Sequence, residues 1–137
     1  MLKRNQKRIP DETINDLSPY DAAGMDYVRN GPRYWSDPTY DSYWIWIGKQ
    51  FSASMVGHLF GVLLKDYDKT DQYSNIITPV FLAHGRYDYA VPCHLWDESK
   101  KQFPEVTFHL FEHSGHFPMI EEQELFNSRI IEWLGKL

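Results

Sequence analysis

Two short apolar runs with an amphipathic stretch between them constrain this chain more than any other feature. Ile76 to His84 reads I-I-T-P-V-F-L-A-H, and Val106 to Glu112 reads V-T-F-H-L-F-E. Nearly continuous apolar runs of that length suit strands buried on both faces of a parallel sheet. Pro79 is acceptable only near an entering edge, because proline has no N–H to give to a ladder. Between the runs, Pro92 opens and Pro104 stops a predicted helix whose inward stripe is Leu95, Trp96, Ser99 and Phe103. A terminal helix is predicted over Glu121 to Leu137, with Phe126, Ile130, Trp133, Leu134 and Leu137 on one face. Glu121, Glu122 and Glu124 lie where its N-terminal dipole favours negative charge. The order β-α-β-α over residues 76–137 predicts an α/β fold with parallel strands joined by a right-handed crossover.

Upstream of this the pattern is helical. Pro19 to Asn30 suits a helix, with Ser18 as its N-cap and Gly31 following its end. Trp44 to Ile47 is apolar all round and is read as helix rather than buried strand. Phe51 to Leu64 is a further predicted helix, with Phe51, Met55, Leu59 or Val62, and Leu63 on its apolar stripe. The charged connector Lys65 to Asn75 marks the expected boundary between a helical region, 1–75, and the β-α-β-α region, 76–137.

Composition excludes several classes. With 42% hydrophobic and 24% charged residues in 137, the chain is expected to form one globular domain. A net charge of -5 argues against nucleic acid, which favours a basic face. Cys93 is the only cysteine, so an intrachain disulfide and a Cys-based zinc site are both excluded. No apolar run approaches the ~20 residues of a membrane span, and no apolar h-region follows the basic start. A cytoplasmic protein without cofactor or membrane partner is therefore expected.

Ligands in open α/β sheets bind beyond the carboxyl ends of the strands. Asp88 and His116 both fall there, each the fourth residue past a predicted strand end. A carboxylate accepting from histidine Nδ1–H would fix the ring's tautomer and stabilise the imidazolium formed when Nε2 takes a proton. Taken singly, Asp88 is equally well a turn former or a cap, and His116 a polar turn residue. Their order and shared placement favour the catalytic reading over the structural one. His109, His113 and His116 have a loose metal-like spacing, but His109 falls within a strand, so no metal site is assigned. Cys93 at a helix start is read as packing, with a nucleophilic role the competing reading. His84 and His94 flank the acid loop as shaping residues. Arg86 either pairs with a carboxylate or solvates the turn.

The residues that carry this chemistry also resemble a known family. H-G-R-Y-D-Y-A-V-P followed by H-S-G-H-F-P-M-I-E-E resembles the C-terminal part of the α/β-hydrolase fold. In that family the acid follows a late strand in G-x-x-D-x-x-V-P, and the histidine follows the last strand in S-G-H-x-x-x-x-E. G-H-F-P-M-I-E-E-Q-E-L-F is similar in character to the proline iminopeptidase branch of serine peptidases. The resemblance implies that Asp88 is the triad acid and His116 the general base. The motif match covers 76–137, while residues 10–70 resemble a cap domain in helical, aromatic character only. Trp35, Tyr43, Trp44 and Trp46 are the candidates for a substrate-facing cap surface, with a plain helical core as the competing reading.

The family's nucleophile elbow, G-x-S-x-G, has no counterpart here. No Ser has Gly two positions away on both sides, and the one Gly pair at that spacing, Gly57 and Gly61, centres on Leu59 in a predicted helix. The expectation is therefore a cap-like region plus the last two strands of a hydrolase of peptide, amide or ester bonds, inactive in isolation. An Asp-nucleophile hydrolase of the epoxide hydrolase or haloalkane dehalogenase type remains open, as does a non-catalytic remnant or split partner. The expected partners are a small-molecule or short-peptide substrate, and an oligomer or a missing N-terminal segment that pairs with the open sheet edge.

Overall fold

The computed structural model describes Leu17, residues 19–46, Lys49 and residues 52–137. Ser18, Ile47 and Phe51, which entered the helix expectations, lie outside them. The chain divides into two compact units. One comprises residues 33–38 and 69–137, and the other is drawn from 5–32 and 39–68.

Helix α1, Pro19–Arg29, is followed by the 3-10 turn Gly31–Arg33. Its Val28 is buried, and Tyr27 stacks on Trp46 of the single-turn α2, Tyr43–Trp46, at 4.4 Å between ring centroids. Gly24 lets the two elements close in, since a Cβ there would sit 3.3 Å from the Trp46 carbonyl oxygen. Ser52 caps α3, Ala53–His58, by accepting from Met55 N at 3.3 Å, and the helix widens into a π turn at Leu59–Leu63. The apolar stripe expected on this helix is not buried. Met55, Leu59, Val62 and Leu63 are all exposed, as is Phe60. Apolar residues run round the whole helix, so no single face can be turned away from water.

The second unit is the β-α-β-α region. Strands β1, Val80–Gly85, and β2, Val106–Phe111, pair in parallel, from Val80 opposite Val106 to Gly85 opposite Phe111. The first strand begins at Val80 rather than Ile76, because Pro79 cannot donate to the ladder; Ile77, beyond it, is 83% exposed. Helix α4, Trp96–Ser99, is one turn of α-helix between the 3-10 turns Cys93–Leu95 and Lys100–Gln102, not the continuous helix expected. From it Lys100 Nζ sits 4.2 Å over the Phe108 ring on one sheet face. On the opposite face, helix α6, Gln123–Leu134, brings Trp133 to 5.6 Å from Phe81 and Phe126 to 5.7 Å from Phe111. Phe111 has no accessible surface and anchors this core. Phe126, Ile130 and Trp133 are part-buried as expected, whereas Leu134 and Leu137 are exposed.

The terminal helix starts early and is broken. A short α5, Pro118–Glu121, opens with proline at its first turn, and Glu122, at φ -126° and ψ 49°, interrupts the run before α6. That interruption turns two glutamates back toward the loop after β2. Among the described residues the sheet has two strands, and no helix is long and apolar enough to cross a membrane.

Candidate active site

Both loops of interest leave the C-terminal ends of paired strands, so the parallel register brings them side by side. Arg86 N donates to Phe111 O at 2.9 Å, which carries the ladder one residue past β1. Arg86 also forms a two-pronged ion pair with Glu112, its Nη2 2.6 Å from Oε1. Arg86 thus pairs with a carboxylate, and the pair joins the residues that leave the two strands. Tyr87 N reaches Ser114 O at 2.9 Å, and Tyr89 N reaches Arg33 O at the same distance. Close approach here requires glycine: a Cβ on Gly85 would lie 1.8 Å from the Gly115 carbonyl oxygen, so the two turns are in backbone contact.

Asp88 is 4% exposed and its carboxylate is fully engaged. Oδ1 accepts from Ala90 N at 2.9 Å and Val91 N at 2.8 Å, an Asx turn that aims the carboxylate. Oδ2 lies 2.6 Å from His116 Nδ1. A carboxylate can only accept, so Nδ1 bears the hydrogen and, in the neutral ring, Nε2 keeps its lone pair. The hydrogen bond to Asp88 raises the His116 pKa above the usual 6.5; partial burial opposes this, and the charge of Asp88 adds to it. The imidazole itself is 39% exposed. A depression of about 280 Å³ beside the pair is lined by Leu82, His84, Asp88, Val91, Trp96 and His116, among others.

The loop that carries His116 is held by residues that the sequence pattern did not single out. Glu121 accepts from Gly115 N at 2.6 Å and from Ser36 N at 2.8 Å. Glu122 accepts from His113 N at 3.0 Å and from Ser114 Oγ at 2.5 Å. His116 N donates to Tyr34 O at 2.6 Å. These glutamates were assigned to helix-dipole stabilisation, whereas their carboxylates serve as acceptors for loop N–H groups. The signal was the E of S-G-H-x-x-x-x-E, which falls on Glu121. Nothing in the sequence pattern pointed to Tyr34 or Ser36, because their hydrogen bonds to this loop are made by backbone atoms.

The aromatic candidates separate. Trp35 has no accessible surface and packs 4.9 Å from Phe117, so it is a core residue here rather than part of a substrate-facing surface. Tyr34, its neighbour, tilts against the His116 ring at 5.6 Å. Tyr43, Trp44 and Trp46 belong to the other unit. Tyr43 and Trp44 are exposed, with Trp44 Nε1 donating to Tyr40 Oη at 3.1 Å, and Trp46 is part-buried against Tyr27. His109 stands edge-on to Phe111 at 4.6 Å, and Cys93 is half-buried with a free thiol. Among the described residues no cluster of His, Cys, Asp and Glu is placed to hold a metal ion.

Comparison with known proteins identifies the fold. The α/β hydrolase fold family matches residues 10–123, most of the chain. The chain belongs to the α/β-hydrolase fold family. Among its relatives, the AB hydrolase superfamily protein YclE of Bacillus subtilis is 35% identical over 93 residues, covering 67% of this chain and 33% of that protein. A proline iminopeptidase of Heyndrickxia coagulans is 35% identical over 74 residues, covering 54% of this chain and 25% of that protein. An α/β-fold hydrolase from Bacillus anthracis superposes with a TM-score of 0.67 at 21% identity, over 89% of this chain and 45% of its own. The chain thus spans about a third of the length of the first of these relatives.

Proposed function

We propose that this chain supplies the acid and the general base of a serine-type hydrolase of peptide, amide or ester bonds, with proline iminopeptidase-like character. The observation that carries the reading is the buried Asp88 carboxylate, fixed by two backbone N–H groups on one oxygen and by His116 Nδ1 on the other. His116 Nε2 takes the proton as a serine hydroxyl attacks the acyl carbon, and Asp88 stabilises the resulting imidazolium. The imidazolium then returns the proton to the departing amine or alcohol, leaving an acyl-enzyme that water cleaves by the same relay. The serine and the oxyanion donors come from sequence beyond these residues, whose strand pairs with an open edge of the sheet. The substrate is a small molecule or short peptide. Resemblance to a proline iminopeptidase supports an unblocked N-terminal residue as the acyl part.

The test is reconstitution. The chain is co-expressed with the part of B. subtilis YclE that precedes its matched region, and hydrolysis of p-nitrophenyl acetate and proline β-naphthylamide is followed. Turnover is expected only when both pieces are present, and is expected to be lost with His116→Ala. Turnover that survives His116→Ala removes the reading.

A further inference from the structure

One buried imidazole in the same depression has no part in the chemistry above. His84, near the end of β1, is 7% exposed. Its Nε2 lies 2.8 Å from Val91 O and 3.8 Å from Asp88 Oδ2. A carbonyl oxygen can only accept, so Nε2 carries a hydrogen and donates it to Val91. We propose that His84 is a positioning residue for the acid: its Nε2–H ties Val91 to the strand so that Asp88 keeps the orientation His116 needs.

Val91 is the hinge of this arrangement. Its N–H points to Asp88 Oδ1 at 2.8 Å, and its carbonyl receives His84. Both polar groups of one peptide residue are thereby used, one on the carboxylate and the other on a side chain rooted in the sheet. Pro92 follows and has no N–H with which to anchor the loop's far end. The His84 ring therefore closes the acid loop on the strand it departs from. The same nitrogen lies 3.8 Å from Oδ2, the oxygen that His116 uses, so its hydrogen bond goes to Val91 alone. Leucine of similar bulk would fill the space but offer no N–H to Val91 O.

The proposal rests on Asp88–His116 being the acid–base pair, yet its test needs no catalysis. The titration midpoint of the His116 ring is measured by NMR in the 137-residue chain and in His84→Leu and His84→Gln. The glutamine amide keeps an N–H donor within reach of Val91 O. His84→Leu is expected to lower the midpoint by about one pH unit as the acid loosens, while His84→Gln stays near wild type. A His84→Leu chain that titrates as wild type, or a glutamine variant that shifts as far as leucine, overturns the proposal and leaves the pair standing. A wild-type midpoint at or below the ordinary histidine value overturns the pair, and the proposal with it. Should the leucine variant fail to fold, His84→Asn, whose shorter amide falls short of Val91 O, takes its place with the same two readings.

Discussion

At His116 the raised pKa sets the sign of every pH effect. A histidine whose folded value lies above its unfolded value of about 6.5 contributes stability that is fully present below pH 6.5. That contribution is lost as pH rises through the folded value. Melting temperature measured from pH 6 to 9 is therefore expected to fall in the unsubstituted chain more steeply than in His116→Ala. Catalysis runs the other way, because a general base must be neutral. The acid limb of the pH–rate profile of a reconstituted hydrolase is expected above pH 6.5 for this reason. Asp88→Asn keeps the shape but can donate where it should accept, and it is expected to cost roughly 10⁴-fold in kcat. An NMR titration of the same variant is expected to show His116 returning toward its ordinary pKa. The placement of Asp88 and His116 could be read in the sequence because each follows a strand end, and strands betray themselves by apolar runs. His84 looked like a flanking residue, since the carbonyl that defines its tautomer belongs to Val91, and backbone acceptors leave no trace in a pattern of side chains.

At the scale of elements, the two strands and their parallel pairing follow from the apolar runs, and Pro79 explains the one shifted end. The broken terminal helix does not follow from local preference. Glu121 to Leu137 reads as continuous helix, and the interruption at Glu122 is imposed by tertiary partners: the N–H of His113 and the hydroxyl of Ser114. Two substitutions probe this region. Glu121→Ala strands the part-buried N–H groups of Gly115 and Ser36, and is expected to cost about 1–3 kcal/mol for each group left without an acceptor. Gly115→Ala places a methyl 2.2 Å from the Tyr34 carbonyl oxygen, so the backbone must give way; a loss of about 1–3 kcal/mol in chemical denaturation is expected. Unchanged stability in both variants would show that the loop after β2 is not held by these contacts. Phe111→Ala, in contrast, empties the centre of the sheet face under α6, and about 3–5 kcal/mol is expected to be lost.

At the scale of the whole molecule, residues 33–38 and 69–137 belong to one compact unit, and the other is drawn from 5–32 and 39–68. What the pattern could not reveal is that residues 33–38 belong with the later unit, because Trp35 is buried there and the backbone of 34–36 is bonded there. Two strands with free edges, together with exposed Met55, Leu59, Phe60, Val62 and Leu63, leave much apolar and hydrogen-bonding surface open to water. The isolated chain is expected to self-associate in size-exclusion chromatography at micromolar concentration; a single monomeric peak with a cooperative melt would contradict this. The clasp between Ser36 and Glu121 spans 85 residues of sequence. During synthesis, then, the loop of His116 gains its full set of contacts only if the early 33–38 stretch has waited, uncommitted, for it. Residues 76–137 made alone would carry Asp88 and His116, yet the His116 N–H would lose the Tyr34 carbonyl and Glu121 the N–H of Ser36.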